Sequence, residues 1–205
     1  MKHAVIVAHP NPHSLAGAVG QAYADAVAAL GHSVLVRDLY RMDFDPCLKA
    51  GEIPRPAGFQ AGPDVVAERL LLADVDVFAF VYPFWFNAPP AILKGYVDRV
   101  FSMGFGYAPA TGGAEGLLDG KKLISFTSSG APESWVRETG AMQALMALFD
   151  LHLANMTGLR ILDHVHVGGI VSDITPEAFE DVLAGVRDAV KAQFGEAAPG
   201  LRTGT

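Results

Sequence analysis

His9, Pro10, Asn11, Pro12, His13 and Ser14 follow directly on the first apolar run of the chain, and Leu15 and Ala16 open what reads as a helix. Free backbone N–H groups and the helix dipole make such a junction a natural anion site, and a phosphate would suit it. His9, His13 and Ser14 add side-chain donors. The loop matches neither G-x-x-x-x-G-K-[ST] nor G-x-G-x-x-G, so it signals neither a P-loop nor a Rossmann site; a helix cap with two surface histidines would look the same. A second loop, Pro83-Phe84-Trp85-Phe86-Asn87 ahead of Pro89 and Pro90, sets three aromatics in a row after an apolar run. Loops normally meet water, so these rings are suited to one side of a flat conjugated ligand, with aromatic core packing or a subunit interface as the competing reading. A third loop, Thr127-Ser128-Ser129-Gly130 with Trp135 beyond it, is small enough for a planar ligand to approach the backbone. A nucleophilic serine is the competitor there, but G-x-S-x-G is absent.

Other chemistries find less support. The seven histidines form no H-E-x-x-H and no Cys/His cluster, so no metal site is expected. His164 and His166 stand two apart in an alternating run, hence on one face. A metal pair would fit that spacing, but a structural or interface role fits it better. A phosphoacceptor receiver would need carboxylates where the chain has His9-Pro10 and Tyr82-Pro83. The net charge of -7 argues against nucleic acid, which calls for clustered Lys and Arg. Cys47 is the single cysteine, so no intramolecular disulfide forms and a reducing, cytoplasmic setting is expected. The longest uncharged run, Val77 to Leu93, is broken by Pro83, Asn87, Pro89 and Pro90, which argues against membrane insertion. The apolar start, Ala4 to Ala8, is too short for a signal peptide.

These loops need a scaffold. Strands are expected over Lys2–Ala8, Ser33–Asp38, Val75–Val81, Lys122–Thr127 and Arg160–Val167. Helices are expected over Ser14–Leu30, Pro63–Ala73, Ala91–Phe101, Thr139–Met156 and Thr175–Phe194. Residues 40–62 read as a long Pro-rich connection, functional or mobile. The alternation predicts an α/β fold: one doubly wound domain over residues 1–195, a parallel sheet covered on both faces, and a frayed tail over 196–205. Ligands bind such sheets outside the carboxyl ends of the strands, where the strand order switches. All three loops fall there.

Together the loops resemble the NAD(P)H:quinone reductase family, the flavodoxin-like group that includes mammalian quinone reductases, the bacterial modulator of drug activity B and ancillary flavoproteins of potassium-efflux systems. The matching residues are Ala8-His9-Pro10 with Ser14, and Pro83-Phe84-Trp85-Phe86-Asn87 leading to Pro90-Ala91-Ile92-Leu93-Lys94-Gly95 and Asp98-Arg99-Val100-Phe101. They continue through Gly104-Phe105-Gly106-Tyr107, Gly120-Lys121-Lys122 and Thr127-Ser128-Ser129-Gly130. The resemblance covers roughly residues 1–168. It implies five strands in the order 2-1-3-4-5, a bound flavin (FAD favoured over FMN), NAD(P)H as electron donor and a homodimer. The implied reaction is ping-pong hydride transfer through flavin N5 to a quinone-like acceptor.

By the resemblance, His9, His13, Ser14, Leu15 and Ala16 lie by the flavin phosphate. Residues Pro83, Phe84, Trp85, Phe86 and Asn87 flank the ring, and Thr127, Ser128, Ser129 and Gly130 cover its other edge. Trp85, Tyr107 and Trp135 are the candidate catalytic residues, Tyr107 as an aromatic lining the acceptor pocket. Where the mammalian enzymes carry a Tyr and a His that support the reduced flavin, this chain carries Trp135 and Ala141. Backbone N–H groups, or His164 or His166, would then take that part. Two alternatives remain open: an ancillary subunit of a potassium-efflux transporter, and an electron-carrier flavodoxin. The His-Pro loop and the modest charge disfavour the second.

Overall fold

The computed structural model describes residues 1–54, 58–171 and 174–195. The tail over 196–205, expected to fray, lies outside the described residues. The strands are β1 Lys2–Val7, β2 Ser33–Asp38, β3 Val77–Pro83, β4 Tyr107–Ala110, β5 Gly113–Gly116, β6 Lys122–Ser128 and β7 Arg160–Val167. The helices are α1 Leu15–Ala29, α2 Pro63–Leu72, α3 Ala91–Val100, α4 Glu133–Glu138, α5 Ala141–Leu145, α6 His152–Thr157 and α7 Pro176–Phe194. A single 3₁₀ turn covers Ala50–Glu52, and a π-helical segment, Met146–Leu151, joins α5 to α6. Five strands pair in parallel in the order β2-β1-β3-β6-β7. That is the expected 2-1-3-4-5 order, with the β4–β5 hairpin inserted before the fourth strand of the sheet.

Strand alternation sorts the core into two layers. Ala4, Ile6, Phe78, Phe80, Tyr82 and Leu123 face one way, against Leu72, Leu93, Tyr96 and Phe149. Val5, Val7, Ala79, Val81, Ile124 and Phe126 face the other way, against Val19, Tyr23 and Val27 of α1 and Val186 and Val190 of α7. Every residue of β3 is buried, as expected for a central strand of a two-sided parallel sheet. Gly20 lets α1 approach the sheet closely: a Cβ there would lie 2.6 Å from Val7 Cγ2.

Several boundaries differ from expectation. The third strand is Val77–Pro83 rather than Val75–Val81. Asp76 anchors the turn before it, exchanging backbone hydrogen bonds with its neighbours: its N–H donates to the Lys2 carbonyl and its carbonyl accepts from Lys122 N–H. Tyr82 and Pro83 stay in register with Thr127 and Ser128, so Pro83 belongs to the strand end and not to the loop. A proline is tolerated at the end of the ladder. The helix expected from Thr139 starts at Ala141, because Gly140 takes φ 74° and breaks it from α4, which had read as loop. The hairpin β4–β5 went unread because its Gly-, Ala- and Pro-rich strands lack β-formers. The Pro-rich connection is packed: Asp45 carbonyl accepts from Arg99, Phe44 stacks edge-on against Tyr96, and a Cβ on Gly95 would lie 2.2 Å from the Pro46 oxygen. No helix among the described residues is long and apolar enough to cross a membrane.

Candidate cofactor site

The strand order switches at β1 and β3, and the loops that follow β1, β3 and β6 converge there. Ser14 caps α1 in extended backbone, its Oγ accepting from Gly17 N–H at 3.1 Å. That leaves the N–H groups of Leu15 and Ala16, the first of the helix, without an acceptor among the described residues. Two side chains shape the loop ahead of them. Asn11 Oδ1 accepts from His13 N–H at 2.9 Å, and Asn11 N–H donates to His9 Nδ1 at 3.0 Å. Arg41, after β2, ties the loop down through the Pro10 carbonyl. Burial lowers the His9 pKa; the Asn11 carbonyl opposes that and the Arg41 charge adds to it.

Residues 85–88 make a tight turn, with Trp85 and Ala88 exchanging both backbone hydrogen bonds at 3.2 and 3.0 Å. Phe86 and Asn87 at its tip take φ of 49° and 56°, the paired left-handed conformation of a type I′ turn. Asn accepts this readily; Phe does so under strain. Phe86 is nonetheless fully exposed, and Trp85 is 45% exposed with its ring 5.4 Å from that of His9. Neither Phe86 nor Asn87 spends its N–H on another described residue.

A cavity of about 440 Å³ opens between the loops, within the range of cofactor sites. His9, His13, Ser14, Leu15, Ala16, Pro83, Trp85, Ser128, Ser129 and Gly130 all line it. Among the described residues no acidic one does, although the chain is acidic overall. Phe84 is buried behind the rim, with its N–H on the Ser128 carbonyl at 2.7 Å. Thr127 is buried beneath the floor. Asn87 faces a separate small cavity beside Leu145 and Leu148. Tyr107 lies apart from the main cavity, in one bounded by Lys94, Ser102, His152 and Met156. Trp135 stands half exposed on α4 and touches neither.

Under the third loop runs a chain of buried polar side chains that sequence reading only half anticipated. Asp150 accepts from Ser125 Oγ at 3.2 Å and is paired with His164 Nδ1. His164 Nε2 meets Thr127 Oγ1 at 2.9 Å, and Thr127 Oγ1 meets His166 Nδ1 at 2.9 Å. His166 Nε2 meets Ser129 Oγ at 3.1 Å, and Ser129 Oγ donates to the Ala131 carbonyl at 2.9 Å. The two histidines share a face, as their spacing predicts, and that face meets Thr127 and Asp150. Asp150 was missed; its signal was that it is the one carboxylate in the apolar stretch from Ala141 to Met156.

A protein-family model described as a flavodoxin-like fold matches residues 1–193. An NAD(P)H oxidoreductase of Haemophilus influenzae is 33% identical over 174 residues, covering 83% of this chain and 85% of that protein. NAD(P)H dehydrogenase [quinone] 1 of Cavia porcellus is 28% identical over 201 residues, covering 88% and 73%. The solved NAD(P)H:quinone oxidoreductase of Methanothermobacter marburgensis superposes with a TM-score of 0.81 at 27% identity, covering 98% of this chain and 99% of that one. The chain therefore belongs to the flavodoxin-like family, and its relatives include NAD(P)H:quinone oxidoreductases.

Proposed function

We propose that this chain is a flavin-dependent NAD(P)H oxidoreductase that reduces quinone-like acceptors by two electrons. The observation that carries the reading is the cavity where an unspent helix N-terminus, an aromatic turn and a small hydroxyl loop meet, with no acidic residue among the described residues that line it. The donor set fits a flavin. The Leu15 and Ala16 N–H groups, with Ser14, His9 and His13, would hold its phosphate. Pro83 and Trp85 would flank the ring, with Phe84 packing behind them and the Phe86–Asn87 turn tip outside the cavity lining, and Ser128 to Gly130 would close the other edge. When bound, the flavin accepts a hydride from NAD(P)H and supplies two electrons to the acceptor. The side chains and free N–H groups fix its position and meet developing negative charge.

FAD is the favoured form. A second, apolar cavity of about 270 Å³ shares Leu15, Ala16 and Ser128 with the first, and such a chamber suits a purine ring. Tyr107, in its own cavity apart from the cofactor site, would line the acceptor's approach rather than hold its reacting oxygen. A homodimer would cover the apolar strip beside that cavity, where Leu148 is 79% exposed. The single cysteine, exposed, fits a reducing cytoplasm.

The visible spectrum of the purified protein tests the reading, followed by chromatography of any released flavin. A colourless protein that takes up neither FAD nor FMN would overturn it. Trp85→Ala is expected to weaken flavin retention at least tenfold, measured by fluorescence titration. Unchanged affinity and unchanged reduction by NAD(P)H would remove Trp85 from the site.

A further inference from the structure

The polar chain from Asp150 to Ser129 has more hydrogen bonds than its neutral side chains have protons to make. Between Asp150, His164, Thr127, His166, Ser129 and the Ala131 carbonyl there are five contacts. An ionised Asp150 brings no proton; two neutral imidazoles and two hydroxyls bring four. With four, one contact goes unmade, in a network whose Asp150–His164 end is wholly buried. A fifth proton completes it. His164 then donates from Nδ1 to Asp150 and from Nε2 to Thr127, Thr127 to His166 Nδ1, His166 from Nε2 to Ser129, and Ser129 to Ala131. Every bond from His164 Nε2 onward then points away from Asp150. The His164 and Asp150 side chains are 0% and 1% exposed, so a charge on one requires the other.

We propose that Asp150, His164, Thr127, His166 and Ser129 form a proton store that opens into the cofactor cavity at Ser129. Release moves one proton at each link. Ser129 Oγ gives its proton to a negative oxygen in the cavity and takes the Nε2 proton of His166. His166 takes the Thr127 proton at Nδ1, and Thr127 takes the Nε2 proton of His164. His164 keeps Nδ1–H on Asp150, and the network passes from neutral to a charge of -1. Resting on the proposed reaction, the acceptor oxygen belongs to a quinone that has taken a hydride. Hydride plus one proton then balance the two-electron reduction to a hydroquinone.

The surroundings agree. His166 has its pKa lowered, first by burial and then by the charge of His164, with Glu133 raising it and Arg137 lowering it. From β3, the buried Tyr82 hydroxyl has no partner among the described residues, and burial and the Asp150 charge keep it protonated. On the other side, His164 and His166 both line a cavity of about 240 Å³ with Glu133, Arg137 and Gln143, which gives solvent a route to recharge the store.

The test is imidazole ¹⁵N NMR of the full-length protein as purified, at pH 7. Three N–H groups are expected across His164 and His166, two on His164 and one on His166 Nε2; two in total would overturn the proposal. Asp150→Asn is expected to weaken binding of the third proton at least tenfold, and an unchanged midpoint counts against it. Thr127→Val, which keeps the volume, is expected to leave His164 doubly protonated while uncoupling His166 from it; persistent coupling would overturn the wire. Ser129→Ala is expected to keep all three N–H groups and slow acceptor reduction about 100-fold, with no slowing placing the exit elsewhere. A protein without flavin would end the quinone reading yet leave the proton count standing. A flavin-loaded protein with only two N–H groups would do the reverse.

Discussion

Phe86 holds a left-handed backbone while its ring makes no use of the core. Such a residue costs of order 1–3 kcal/mol, which a merely structural turn would shed by carrying Gly. Phe86→Gly is therefore expected to leave stability unchanged or raise it by up to about 1 kcal/mol, and to weaken cofactor retention. Phe86→Ile, β-branched at positive φ, is expected to lose about 1–2 kcal/mol in urea unfolding. If Gly destabilises as much as Ile, the strain account fails. Single residues also mark how far a sequence can be read. The aromatics of residues 84–86 announced a loop with a task, because their types contradict a solvated turn. Their division into a buried Phe84, a rim Trp85 and an outward Phe86 depended on dihedral angles that composition does not encode. His164 and His166 declared a common face, but their partner Asp150 arrives from another element, and no local pattern links them.

At the scale of elements, Arg99 is the joint. It is 2% exposed on α3 and donates to Glu52 in the 3₁₀ turn, to Asp64 at the start of α2 and to the Asp45 carbonyl. The helical face of α3 was legible from Ile92, Leu93, Tyr96, Val97 and Val100. Arg99 was not, because a buried guanidinium depends on carboxylates far away in sequence. Arg99→Met is expected to cost about 3–5 kcal/mol, since it leaves a buried carboxylate uncompensated. The hydrogen bonds from Arg99, more than any other cause, lower the Glu52 pKa from 4.5 to about 2. The folded value lies below the unfolded one, so the stabilisation is full above pH 4.5 and fades as pH falls towards 2. Acid titration of unfolding free energy should show this loss in the native protein and not in Arg99→Met. Identical acid limbs would show that the pair does not govern that window.

At the scale of the whole molecule, the apolar excess of the composition divides between two core layers and a surface strip. The strip comprises Met146, Leu148 and Leu151, exposed at 37%, 79% and 49%. Leu148→Asp is expected to convert a dimer to a monomer in sedimentation without changing the far-ultraviolet circular dichroism. A wild-type monomer would leave the strip to another purpose. Fold class was legible because alternating strand and helix periods admit few layered solutions, whereas the strand order came from the resemblance carried by the loops. The hairpin and the broken helix were not, because both turn on glycine geometry and helix winding rather than hydrophobic period. That winding has a further consequence. A π-helical segment takes in one residue more than an α-helix needs, and Met146–Leu151 ends beside Asp150. Removing a single residue there, such as Ala147, would restore α winding and turn Asp150 relative to α5, away from the geometry that meets His164. The contact between Asp150 and His164 therefore depends on the number of residues in that turn as well as on their types. A relative without it should differ from this chain by a gap in alignment at that turn, with the Asp itself retained but facing elsewhere.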